Sequence, residues 1–466
     1  MQSVRNALYN WRREAEPWYG AIGLANLVMG TSSVLVPLML AQVLRGSVGA
    51  LGFLSTFVSL VGVIGSLVWG RLSDAAHRRK PFVVLSFAVA SASFAGFAVV
   101  HSFTTLLALN MVLNFFWVAN AAVTVLLVIE NREKSLWERR ISHLNQSGSL
   151  GWLAGLALGT VGLAAVRPVI DEMTAIRAFF LILALGAGVA CLLAVVLIPR
   201  TVPKFTKRRF RGVIVAVGNF LVERARFGPY HLYHRFNPRR LPVLLRGEEG
   251  LRHETKMFLL ASWFAFTAFG FVFVPLPFLL SREFGLPSST VFLYYVIHQG
   301  AIVLAYPWAL WRIKRAGNKA VQLVSLFARF VLFASVSGVL SFSTSTPPTW
   351  FLVILFLGTG TSWACFQLSG VTFASRLAKP EYRGQTLGLY NAVAGMGSIL
   401  AGVCSGFLAE FLGYQAAFAA AAVLIAVALV LLYRVPAPVA PVVSNGRRRL
   451  LWENRRRETV KRTDFR

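Results

Sequence analysis

The chain has 466 residues, of which 56% are hydrophobic and 14% charged, and its formal net charge is +29. A soluble domain keeps about 25% charged residues to cover its surface, so this chain must present its surface to lipid rather than water. The positive charge does not make it a nucleic-acid binder, because the basic residues fall in the gaps between apolar runs.

Taken in order, those apolar runs predict twelve membrane-spanning helices. A short N-tail, 1–17, precedes a run from about Trp18 to about Leu44. That run is longer than the apolar part of a cleavable signal peptide and long enough to span. Spans follow at about 48–70, 82–101, 104–130, 143–166 and 174–198, which gives a first six-helix bundle over 18–198. The next segment, 199–254, is rich in arginine and contains a short apolar patch, Val213 to Val217 with Phe220 to Val222. The patch is too short to cross and is expected to lie as a helix in the membrane interface. Six further spans at about 255–281, 287–311, 319–341, 348–375, 384–410 and 414–433 make a second bundle over 255–434. A basic tail, 435–466, with Arg447 to Arg449 and Arg455 to Arg457, is expected to lie against anionic headgroups. In lipid every backbone group needs a partner within its own segment, so the fold class is all-α integral membrane.

Orientation follows from the basic residues. Arg45, Arg167, Arg177 and Arg282 fall on one side and Arg329 inside a span, leaving 42 of the 47 on the side of both tails. Such an excess marks the cytoplasmic side and predicts a multi-pass plasma-membrane protein with both termini inside. Cys191, Cys365 and Cys404 all lie in apolar runs, too scattered for a disulfide framework or a zinc site. No metal, cofactor or catalytic residue is expected, since the seven histidines do not converge with acids at one depth.

The connection after the second span reads Gly70-Arg71-Leu72-Ser73-Asp74-Ala75-Ala76-His77-Arg78-Arg79-Lys80-Pro81. It resembles the signature of the major facilitator superfamily, Gly-x-Leu-x-Asp-Arg-x-Gly-Arg-Arg/Lys, at Gly70, Leu72, Asp74, Arg78 and Arg79, and departs from it at Ala75 and His77. A degenerate copy, Lys314-Arg315-Ala316-Gly317-Asn318-Lys319, stands about 240 residues later. Glu138-Arg139-Arg140 before the fifth span is echoed by Glu381-Tyr382-Arg383-Gly384 before the eleventh. The resemblance covers about 18–435 and implies two pseudo-symmetric six-helix bundles that work as a secondary transporter by alternating access. It also implies a cytoplasmic latch, with Asp74 facing Arg383 and Gly384 at the start of helix 11 and Glu130 paired with Arg78. The latch would hold while the site is open outward and break when it opens inward. Independently of family, Gly151, Gly155 and Gly159 form a small-residue stripe that lets helices approach closely in lipid.

The resemblance places helices 1, 4, 7 and 10 around a central cavity. Their mid-depth polar and aromatic residues include Asn26, Thr31, Asn110, Asn114, Trp117, Trp263, Thr267, Thr361, Trp363 and Gln367, with Asn120 on a neighbouring face of helix 4. Helix 8 adds Tyr294, Tyr295, His298 and Gln299. Buried amides cost free energy unless paired, so their clustering predicts a wet cavity for a small-molecule substrate. No Asp or Glu lies mid-span. His298 is therefore the coupling candidate, being the mid-depth group of a type that changes charge near neutral pH; uniport stays open. Arg329, mid-span in helix 9, is expected to turn inward toward carbonyls or to snorkel. The readings left open are export of amphipathic compounds, import of a small neutral or anionic solute, and a non-transporting sensor or scaffold. A monomer is expected.

Overall fold

The computed structural model describes residues 16–76, 79–129, 137–199, 253–342, 348–377 and 383–436. The expected interfacial helix at 213–222 and both tails lie outside the described residues. So do Arg78, Glu130 and the surroundings of Gly70, Asp74, Arg383 and Gly384.

Among the described residues, twelve helices are long and apolar enough to cross a membrane. They are α1 Tyr19–Val43, α2 Val48–Ala76, α3 Lys80–Ala98, α4 Phe103–Ile129, α5 Trp137–Val166 and α6 Glu172–Leu197, then α7 His253–Glu283, α8 Ser288–Ala316, α9 Asn318–Phe342, α10 Thr349–Leu377, α11 Arg383–Leu412 and α12 Tyr414–Arg434. The predicted spans all appear. The helices outrun the apolar runs mainly at one end: α2 continues to Ala76, α5 starts at Trp137 and α8 reaches Ala316. These extensions are polar and amphipathic, so they emerge from lipid as helix while hydropathy registers only the spanning part.

Packing is the same in both halves. α1 packs on α5 and α6, α2 on α4, and α3 on α4 and α6; six helices later, α7 packs on α11 and α12, α8 on α10, and α9 on α10 and α12. The halves meet along α2–α11 and α5–α8. Lipid supplies no hydrophobic force between helices, so the seams rely on close backbone approach. In α1–α5, a side chain at Gly151 would strike Gly23 and one at Gly155 would strike the Leu27 carbonyl. In α2–α11, Gly52, Gly402 and Gly406 sit backbone to backbone. The third glycine of the α5 stripe, Gly159, faces the Phe292 ring of α8 across the two halves.

Cations close several helix ends by capping C-terminal carbonyls, where the dipole is negative. Lys80 Nζ donates to Ile198 O at 2.7 Å, and Arg177 donates to Ala98 O and Val100 O at 2.9 Å each. Asp171 N-caps α6 through the Thr174 N–H at 3.0 Å, and that bond holds its carboxyl below the usual carboxylate range.

Candidate functional site

Two faces of the bundle differ. The basic face carries the α2–α3 and α8–α9 connections, and the far face carries α1–α2 and α7–α8. On the far face the halves are tied together by polar contacts. Glu410 at the end of α11 accepts the Gly49 N–H at the start of α2, at 2.6 Å. Glu172 at the start of α6 accepts the Ser288 N–H at the start of α8 at 2.9 Å, and its hydroxyl as well. The helices capped, α2 and α8, are equivalents in the repeat, and in each case the carboxylate comes from the other half. Arg282 Nη2 also donates to Ala41 O at 2.6 Å.

The contact between Arg282 and Ala41 joins two matched distortions. α1 has Pro37 followed by a π-helical turn, Met39–Val43, and α7 has Pro275 and Pro277 followed by Leu279–Glu283. The wide turns close with equivalent bonds, Leu44 N–H to Met39 O and Phe284 N–H to Leu279 O, both 3.0 Å. The next residue but one adds Gly46 N–H to Leu40 O at 2.9 Å and Leu286 N–H to Leu280 O at 3.0 Å. The residue between is left-handed in both, Arg45 at φ 50° and Gly285 at φ 59°.

Away from the far face the halves part and leave a cavity of about 1160 Å³. Ile22 and Asn26 of α1, Trp117, Asn120 and Thr124 of α4, and Gln299, Val303, Tyr306 and Pro307 of α8 line it. So does the first half of α5, from Ile141 to Trp152 and including Asn145, Gln146 and Ser149, with Leu368 of α10. Most of these positions lie in the half of the bundle toward the basic face, with Gln299 and Trp152 near mid-depth, so the cavity opens there.

Of the predicted site residues, Asn26, Trp117 and Gln299 stand on this wall. Asn26 Nδ2 is bonded to Ile22 O at 2.8 Å, which leaves its carbonyl oxygen facing the cavity side, and Trp117 stacks on Phe87 with centroids 6.1 Å apart. Asn114 is half-buried and gives its amide to Asn110 Oδ1 at 2.8 Å, pairing the two amides with each other. Two others stand off this wall. Thr31 is fully buried and donates to Gly155 O at 2.7 Å, because the glycine seam brings α5 against α1 at that level. Tyr294 is buried between α8 and α10, stacked on Phe356 with centroids 5.2 Å apart. Trp263 lies edge-on to Phe264, outside the described wall.

Helix 7 adds no residue to this wall and helix 10 adds Leu368 alone, while α8, expected to contribute, is joined by α5, which was not. Polar residues of α5 such as Asn145 and Ser149 were legible only as part of a loop echo, since which helix faces the opening depends on how the halves tilt. Asn120, set aside in the sequence reading, lines the cavity, and its Oδ1 is buried without a hydrogen-bond partner. A buried unpaired carbonyl costs about 1–3 kcal/mol.

Beside the cavity, His298, Thr359 and Arg329 form a polar chain across α8, α10 and α9. His298 Nδ1 lies 3.2 Å from Thr359 Oγ1, and Arg329 Nη2 donates to Thr359 O at 2.8 Å. Arg329 is 0% exposed. Its guanidinium lies 4.1 Å from the Phe269 centroid and 5.4 Å from that of Trp363, while Nε and Nη1 have no partner. Trp363 in turn packs edge-on against Phe269, centroids 5.6 Å apart, and Tyr295 lies edge-on to Phe356 at 5.4 Å. Gln367, two turns of α10 beyond Thr359, also has its Oε1 buried without a partner. Of the signature residues, Leu72 packs into the core of the first half; the latch itself lies outside the described residues.

A chain of this fold has known relatives. An MFS-type transporter, ppzB, of Metarhizium rileyi (strain RCEF 4871) is 29% identical over 167 residues, 35% of this chain and 33% of that protein. The match thus spans about a third of the relative's length. Among solved structures, the nucleoside transporter NupG superposes with a TM-score of 0.61 at 14% identity, covering 90% of this chain and 96% of that one. Tetrameric PepTSo2 superposes with a TM-score of 0.68 at 16% identity, covering 90% and 96%. At such identities the likeness is one of fold. The Major Facilitator Superfamily model matches residues 19–368 and again 258–463. With two six-helix halves that repeat each other's packing and distortions around a one-sided cavity, this chain belongs to the Major Facilitator Superfamily.

Proposed function

We propose that this chain is a secondary active transporter that carries a small solute across the plasma membrane by alternating access, and that its basic face is cytoplasmic. The carrying observation is the cavity of about 1160 Å³ between the halves, open toward the basic face and sealed at the far face. In this reading the fold is in its inward-open state. The amides Asn26, Asn120, Asn145, Gln146 and Gln299 suit a solute rich in hydrogen-bonding groups, and Trp117, Trp152 and Tyr306 supply flat apolar faces. Arg329, cationic and without a carboxylate partner among the described residues, favours a solute with an anionic group over a purely neutral one. The names of the relatives agree with transport and leave the solute to experiment.

The test is counterflow of radiolabelled nucleosides, dipeptides and organic acids into proteoliposomes. At least one class should accumulate over empty liposomes, and Asn120→Leu should reduce its uptake about tenfold, as expected for a lost hydrogen bond to a buried group. If no class moves and a cysteine at Ser149 keeps the same labelling rate in the presence of every compound, the chain is a sensor or scaffold instead. Orientation is checked separately. Cysteines placed in 200–250 or after 440 should label only from the cytoplasm, and those in 342–347 only from outside.

A further inference from the structure

On the lipid-facing side of the second half, α8, α9 and α10 enclose a cleft of about 610 Å³. Small residues, among them Ala320, Ala328 and Gly358, keep its floor low. From Ala320 to Ala328 it follows α9 for about 12 Å at 1.5 Å per residue. That is close to the depth of one leaflet of a ~30 Å hydrocarbon core. The cleft begins at the basic face, where Arg312 forms part of its wall beside Trp308, its guanidinium 5.7 Å from the Trp308 centroid. One residue triplet further on, Arg315 sits over Trp311 at 5.2 Å. No acidic side chain lines the cleft, and neither arginine has a carboxylate partner among the described residues.

We propose that this cleft holds an acidic phospholipid of the leaflet at the basic face, with one acyl chain along Ala320, Val324 and Ala328 and its phosphate on Arg312, the arginine in the cleft's wall. Shape alone does not select it. A second groove of about 750 Å³ between α9 and α12, lined by Ala334, Gly338 and Ala422, is as apolar but has no charged residue in its wall. What sets the first cleft apart is charge placed where a headgroup would lie, flanked by the amphipathic rings that favour the membrane–water boundary. The site is separate from the solute cavity and does not depend on the transport reading.

The experiment uses the full chain reconstituted in phosphatidylcholine nanodiscs doped with phosphatidylglycerol or phosphatidylcholine brominated on the acyl chain. Quenching of Trp308 is read as the difference between the parent and Trp308→Phe. Brominated phosphatidylglycerol should quench Trp308 about fivefold more effectively at equal mole fraction, the preference one arginine confers at an anionic surface. Arg312→Gln should bring the two lipids level, and Arg312→Lys, which keeps the charge, should retain most of the preference. Equal quenching by both lipids in the parent, or a preference that survives Arg312→Gln, overturns the proposal. So does protection of Trp308 from both lipids, which would mean that a second copy of the chain covers the cleft.

Discussion

At the scale of single residues, the buried cation Arg329 is where the proposed solute class can be tested. A charge at mid-depth is expensive, yet Arg329 has one hydrogen bond, to Thr359 O, and aromatic faces in place of an acid. Were it a packing element, Arg329→Met would lower stability by loosening the Phe269 and Trp363 layer. If it recognises an anion, replacing a buried charge with an apolar side chain of similar length is neutral or stabilising. We expect the second outcome: a melting temperature equal to or above that of the parent, and uptake of an anionic solute reduced about tenfold or more, the weight of a hydrogen bond to a charged group. Thermal unfolding and counterflow on the same preparation separate the two. His298 is joined to Arg329 through Thr359. Among the described residues, the charged group facing His298 across that link is Arg329, and no carboxylate lines the chain. His298→Gln keeps a hydrogen-bonding group but cannot carry a proton, so it should preserve solute binding and abolish accumulation driven by a pH gradient. A mutant that still concentrates solute as the parent does would make His298 a packing residue and place the coupling elsewhere.

At the scale of elements, the repeat is written in backbone geometry more clearly than in side chains. The sequence motifs repeat weakly, with Lys in place of the acid in the second copy of the signature. By contrast, the proline, the wide turn and the left-handed residue of α1 recur in α7. The left-handed conformation costs a residue with a Cβ about 1–2 kcal/mol and glycine almost nothing. Gly285→Ala should therefore destabilise by about 1 kcal/mol, whereas Arg45→Gly should leave the melting temperature unchanged or slightly higher. Equal losses at both positions would mean that the two turns are not equivalent. The prolines were visible in the sequence, but the wide turns were not. A π turn frees carbonyls of its own helix for outside donors, here the Ala41 carbonyl that Arg282 of the other half takes up, so it depends on a tertiary contact.

At the scale of the whole molecule, two carboxylates at the far face hold the halves together. Glu410 and Glu172 each cap a helix of the opposite half. An anion at a helix N-terminus contributes about 0.3–1 kcal/mol, more when partly buried. Removing both charges with Glu172→Gln and Glu410→Gln should shift the balance toward the state open at the far face about 3–30-fold. Spin labels on Ser47→Cys and Ser289→Cys, in a chain without native cysteines, should report a longer distance population in the double variant. An unchanged distribution would show that the glycine seam of α2–α11 alone sets the balance.

The sequence by itself determined the twelve helices and the uneven distribution of charge, because lipid tests each residue against one solvent and the result is local. It also marked Asn26, Trp117 and Gln299 as cavity residues, since amides and aromatics are rarely spent on a lipid-facing surface. The tertiary structure decided which helices face the opening. Thr31 and Tyr294 left the site because close seams buried them, while Asn120 and the first half of α5 entered it. Those outcomes depend on glycine contacts between segments more than a hundred residues apart, such as Gly23 with Gly151, and on the tilt between two rigid halves. Neither is encoded in the polarity of any one helix.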